Sequence, residues 1–94
     1  MPNREFKLPD EAVQSSLEAF TNNVGYASET LIKILKIQTM RDPERGREVP
    51  GRHSVRMVTK SFPFVDEDII CQVYYIFDER AVKWLLFKWQ RNPK

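Results

Sequence analysis

The apolar residues of this chain keep two different periods, and the change between them falls inside one short segment, Asp42 to Arg52, DPERGREVPGR. Before it, Val13, Leu17 and Phe20 recur at i, i+4, i+7, and Leu31, Ile34, Leu35 and Ile37 form a second helical stripe. After it, Ser54 to Phe62 and Ile69 to Phe77 alternate with β-branched and aromatic content, and Ala81 to Trp89 is a third apolar run. A pattern that repeats every 3.6 residues buries one side of a helix, whereas a pattern of period two buries one face of a strand. The segment between them holds two prolines and two glycines and reads as a loop.

Local signals fill in the rest. Arg4 to Leu8 is expected to form a first strand, and Pro9-Asp10-Glu11 a helix start with proline at the first helical position and acids behind it. Thr21-Asn22-Asn23-Val24-Gly25 breaks that helix, and Ser28, followed by Glu29, is the expected N-cap of a second one that stops ahead of Pro43. The connections Pro63 to Asp68 and Asp78 to Arg80 are short enough for antiparallel hairpins. The expected fold is α+β: an N-terminal strand, a helical hairpin, then a three-stranded antiparallel meander with both helices on one sheet face.

The chain has 94 residues, which is one domain, 1–94, with room for a single core. A composition of 41% hydrophobic and 30% charged residues excludes a disordered chain. One cysteine, Cys71, forms no internal bridge, and no Cys/His cluster has zinc-ligand spacing. With no apolar run of membrane-span or signal-peptide length, the expected setting is cytoplasmic, with no membrane partner. Net charge is only +2, but Arg41, Arg45, Arg47, Arg52, Arg56, Lys60 and His53 make a local basic band, while acids gather at 66–68 and 78–79.

Alternation along IICQVYYIF places Cys71, Val73, Tyr75 and Phe77 on one face and Ile70, Gln72, Tyr74 and Ile76 on the other. The first set lacks a strongly polar group and is assigned to the helix side, leaving Gln72 and Tyr74 on an open face. No hydrolase, phosphate-loop or metalloprotease motif is present. What remains is a set of basic, phenolic and amide groups expected to converge on that open face: Arg56, Lys60, Gln72 and Tyr74, with Lys88, Gln90 and Arg91 from the last strand. Such a set suits a phosphate backbone. Cleaving RNA requires a base for the 2′-hydroxyl proton, cations for the phosphorane and an acid for the leaving oxygen. Each member also has a plainer reading: the basic run as solvated loop, Tyr74 as a packing aromatic, His53 as surface, Trp84 and Trp89 as core, and Cys71 as a buried hydrophobe.

Several local texts resemble the RelE/ParE superfamily of toxins from bacterial type II toxin–antitoxin modules. EFKLPDEAVQSSLEAF resembles the opening strand and helix start, MRDPERG the helix end before the sheet, HSVRMV the second strand, and QVYYIFDERAVKWLLFKWQRNP the closing hairpin. LLFKWQRNP is also similar to the ending of the HigB-like branch. The resemblance covers nearly the whole chain. It implies a messenger-RNA endonuclease acting at the ribosome without metal or other cofactor, or, in the ParE branch, an inhibitor of DNA gyrase. Arg56 matches the family's second-strand arginine and Lys88 the near-terminal lysine.

On this reading Arg56, Lys60, Tyr74, Lys88 and His53 are the expected catalytic residues, and Arg45, Arg47, Arg52, Gln72, Gln90 and Arg91 the expected RNA-binding ones. Gln72 departs from the family, whose central strand carries arginine there. An amide offers dipoles where a guanidinium offers charge, so a catalytically impaired binding protein of the same fold is a third reading. The expected partners are messenger RNA on the ribosome and a cognate antitoxin, whose acidic segment would approach from the Arg45 to Lys60 side.

Overall fold

The computed structural model describes residues 4–94. The fold is α+β. In chain order it runs β1 (Glu5–Phe6), α1 (Glu11–Val24), α2 (Ala27–Arg41), a 3-10 turn (Pro43–Arg45), β2 (Arg47–Val49), β3 (Arg52–Pro63), β4 (Glu67–Phe77) and β5 (Ala81–Pro93). The strands form one five-stranded mixed sheet in the order β1-β5-β4-β3-β2. The expected meander is β3-β4-β5, to which β1 adds a parallel edge and β2 an antiparallel one. The first strand is shorter than the expected Arg4 to Leu8, and the segment read as loop contains β2.

The helix boundaries shift for local reasons. Pro9 lies before the cap rather than at the first helical position, and the extended Asp10 is the N-cap residue. Its carboxylate makes no capping bond and instead pairs with Lys83 at 3.1 Å. The break expected over Thr21 to Gly25 falls at the end of that segment: Asn23 donates to the Ala19 carbonyl at 2.7 Å, and the helix runs to Val24. Gly25 ends it at φ 88°, a left-handed value that suits glycine, with its N–H on the Thr21 carbonyl. Ser28 is not the expected cap. It lies inside α2, fully buried, and its hydroxyl has no partner among the described residues. The buried stripe of α2 is Ser28, Leu31, Leu35 and Thr39, while Ile34 and Ile37 stay partly exposed. An unpaired buried hydroxyl costs roughly 1–3 kcal/mol. Ser28→Ala is therefore expected to stabilise the protein by about 1 kcal/mol, read as a higher urea midpoint at unchanged slope.

The core lies between the helices and one sheet face. Val13, Phe20, Leu31 and Leu35 meet Ile69, Cys71, Val73, Tyr75, Val82, Trp84 and Phe87. The assignment of Cys71, Val73 and Tyr75 to the helix side matches their near-zero exposure, and Phe77 is half-buried beside them. Trp84 is core: its indole N–H donates to Thr39 Oγ1 at 3.1 Å, and that hydroxyl donates onward to the Leu35 carbonyl. A register shift between Tyr74 and Tyr75 leaves Leu85 as an extra residue in β5. It allows Val82 and Trp84, and then Phe87 and Trp89, to point to the helix side although their numbers change parity.

Burial pushes the Cys71 thiol up to about 12 and raises the Tyr75 phenol. Both groups are neutral in the native state and ionise more easily when unfolded. Stability from this source is fully present below the unfolded thiol range near 8.5 and is lost as pH rises toward the folded values. Urea titrations at pH 7 and pH 10 should show a lower midpoint at pH 10, and a thiol reagent should modify Cys71 only as fast as the protein opens.

Candidate functional site

Both helices lie on one side of the sheet, so the side chains of β4 that point the other way remain accessible. Register fixes their neighbours. Three rows cross β3, β4 and β5 on this face: Met57–Tyr74–Leu86, Thr59–Gln72–Lys88 and Ser61–Ile70–Gln90. Gln72 occupies the centre. Its amide donates a long hydrogen bond, 3.5 Å, to Thr59 Oγ1, so no buried partner is needed. The Lys88 ammonium lies 5.7 Å from the centroid of the Tyr74 ring, a cation–π contact at the edge of the same group. The three rows thus offer two hydroxyls, two amides, one phenol and one cation over an apolar ground of Met57, Ile70 and Leu86.

The expected convergence is only partly realised. Gln72, Tyr74, Lys88 and Gln90 share the open face, as expected. Arg56, Lys60 and Arg91 do not: they stand opposite Tyr75, Cys71 and Ile69, which places them on the helix-side face. The cause is loop length. Pro63 pairs with Asp68, so an even number of residues, 64–67, separates the strands, and odd positions of β3 lie across from even positions of β4.

Arg56 is engaged in building the chain around it. One guanidinium nitrogen donates to the carbonyls of Glu44 at 3.1 Å and Gly46 at 2.9 Å, and another lies 3.5 Å from the Glu48 carboxylate. The Tyr75 hydroxyl donates to the Pro43 carbonyl at 2.5 Å. Together the two side chains fasten the 3-10 turn and β2 to the sheet. Arg91 is likewise occupied, holding Glu67 at 2.6 Å and the carbonyl of Asn23.

Arg45, Arg52 and His53 lie apart from the three rows, on the 3-10 turn and the start of β3, whereas Arg47 of β2 stands opposite Met57 and so extends the first row on the open face. All four are exposed. None of the three arginines makes an ion pair with a described residue. Exposed acids, Asp42 and Glu44, share that end of the molecule. Among the described residues no group of three or more His, Cys, Asp or Glu gathers as metal ligands, and no helix is long and apolar enough to cross a membrane.

Thr59, Ser61, Met57 and Leu86 complete the face and were not singled out from sequence. The signal that finds them is the cross-strand register, which needs the turn residues and the β5 bulge to be placed first. No family model matches this chain, and neither a curated protein nor a solved structure is found to be similar to it.

Proposed function

We propose that the protein is a toxin of the RelE/HigB kind that cleaves messenger RNA at the ribosome, and that the open sheet face is the surface presented to the RNA. The observation that carries this reading is the Lys88–Tyr74 pair beside Gln72 at the centre of a face that no helix covers. The two-helix, single-sheet α+β layout is compatible with the RelE-like fold that the sequence resemblance implies.

The roles follow from the groups available. Lys88 is the cation beside Gln72 at the centre of the open face and would hold the non-bridging phosphate oxygens as charge builds on the phosphorane, with Arg47 at the end of the Met57 row. Tyr74 offers a ring on which a splayed base can stack and a phenol for proton transfer. Gln72, Gln90, Thr59 and Ser61 supply hydrogen bonds to base edges or sugar. Arg56, expected as a catalytic cation, acts in this scheme through the segment it holds. Induced expression without an antitoxin is expected to arrest growth and deplete intact translated messages, with Lys88→Ala relieving the arrest. Normal growth and translation in the presence of the folded protein would refute the proposal, and DNA damage with intact messages would indicate gyrase as the target.

A second reading is a RelE-like binding protein without cleavage. It is favoured by one observation, the engagement of Arg56 with backbone carbonyls, which leaves Lys88 as the one cation directly beside Gln72. Its signature is RNA binding by the purified protein with no scission, at the ribosome or away from it.

A further inference from the structure

The chain on both sides of Arg47 is held from one face of the sheet. The Arg56 guanidinium donates to the carbonyls of Glu44 and Gly46 ahead of it, at 3.1 and 2.9 Å, and meets the Glu48 carboxylate behind it at 3.5 Å. Tyr75, the cross-strand partner of Arg56, donates its hydroxyl to the Pro43 carbonyl and fills the space beside Gly46. Because Glu48 joins Arg56 on the helix side, its neighbour Arg47 is turned to the other. Pairing agrees: Arg47 stands opposite Met57, which stands opposite Tyr74. Without these contacts β2 has little to keep it in place. It is three residues long, set between a 3-10 turn and Pro50-Gly51, and its register with β3 is irregular.

We infer that Arg47 binds an RNA phosphate on the open face, and that Arg56 and Tyr75 are positioning residues that hold it there from behind. This rests on the open face being the surface presented to RNA. Arg47 is exposed and makes no ion pair with a described residue. It lies two strands from Tyr74, about 10 Å at the usual strand spacing. Lys88, on β5, lies on the other side of the same ring. A base stacked on Tyr74 therefore has a cation to each side, Lys88 toward β5 and Arg47 toward β2, so the phosphates flanking that base are met separately. A guanidinium can take two oxygens of one phosphate.

Arg56 itself is on the wrong side for such a contact. Its side chain is 25% exposed, on the helix-side face, with its donors committed to the chain around Arg47. The charge absent at Gln72 is thus supplied in part from the β2 edge, for binding rather than for the reacting phosphate. Losing Arg47 should weaken RNA binding more than it slows cleavage of RNA already bound.

The test is binding of an uncleavable single-stranded oligoribonucleotide, about six nucleotides with every 2′-hydroxyl methylated, followed by fluorescence anisotropy over a range of salt. Arg47→Gln is expected to weaken binding about tenfold and to lower the slope of log affinity against log salt by about 0.7, the loss of one phosphate contact. Arg56→Lys keeps the charge and loses the fork, so it should forfeit similar affinity and slope while the amides of 47–49 exchange faster. Adding Arg47→Gln to Arg56→Lys should cost nothing further, whereas adding it to Lys88→Ala should cost the full tenfold. Tyr75→Phe, which gives up only the Pro43 bond, should show the effect of Arg56→Lys in smaller measure, and urea midpoints establish that each variant is folded. Unchanged affinity and slope in Arg47→Gln, with Lys88→Ala weakened, would overturn the role of Arg47 and leave the open face as the RNA surface. Full affinity in Arg56→Lys, or additive losses in its double variant, would overturn the positioning role. No binding by the wild type would overturn the reading of the face and the role of Arg47 with it.

Discussion

Gly46→Ala is expected to lower stability by about 3 kcal/mol, the largest change among the three glycine-to-alanine replacements, since a Cβ at Gly25 or Gly51 meets no neighbour. Gly46 has an ordinary extended backbone, so the requirement is for space rather than for an unusual φ. A Cβ there would lie 2.2 Å from the Tyr75 hydroxyl and 3.2 Å from the Cβ of Arg56. Tyr75 cannot swing aside, because its ring is buried and its hydroxyl is fixed on the Pro43 carbonyl. Relief requires moving the turn, which breaks that bond and loosens the two that Arg56 makes. Urea denaturation of Gly46→Ala, Tyr75→Phe and the double variant measures the coupling. Removing the hydroxyl deletes the closest contact, so the double variant should be destabilised by clearly less than the sum of the singles. Additive losses would mean that Gly46 is constrained by something other than this contact.

The same cluster shows where sequence reading reached its limit. Helices, strands and the face assignment of β4 were legible because burial imposes a period on side chains, and Cys71, Val73 and Tyr75 obey it. The site was less legible, because it depends on how strands are set beside one another. Two features of register moved the expected residues: the even number of residues between Pro63 and Asp68, and the extra Leu85 in β5. The first turned Arg56 and Lys60 to the helix side. The second brought Lys88 across from Gln72, where unbroken pairing from Phe77–Val82 would have set Phe87 nearly opposite. β2 escaped notice because three residues between a 3-10 turn and a Pro-Gly turn carry too little pattern to read. Ser28 looked like a cap because caps favour serine, yet Gly25 had already set where α2 begins.

Gln72 carries more weight in the structure than its difference from the RelE/ParE central strand alone would give it. It is the centre of the open face, with Thr59 on one side and Lys88 on the other, and no acid stands in the surrounding rows. The arginines that might have replaced its missing charge are elsewhere: Arg91 is held by Glu67, and Arg52 lies toward the β2 edge. A phosphate beside Gln72 therefore meets one adjacent full charge, from Lys88, with Arg47 and Lys83 farther along the same face.

Two substitutions follow, with opposite signs. Lys88→Ala should reduce RNA cleavage by about 10²-fold, since it removes the cation beside Gln72 from a site where each transition-state stabiliser is worth roughly 10²–10³ in rate. Gln72→Arg should raise cleavage by a comparable factor of about 10², because a guanidinium at the centre can hold two phosphate oxygens at once. The added charge stands beside Lys88 without a compensating acid, so a modest fall in stability, under about 1 kcal/mol, should accompany the gain. Single-turnover cleavage on programmed ribosomes, with urea midpoints for both variants, separates rate from folding. A gain for Gln72→Arg together with a loss for Lys88→Ala would place the chemistry on this face. If both variants fold and neither changes cleavage, the open face is not where RNA is cut; if the wild type binds RNA and none of the three cuts it, the binding-protein reading replaces the nuclease.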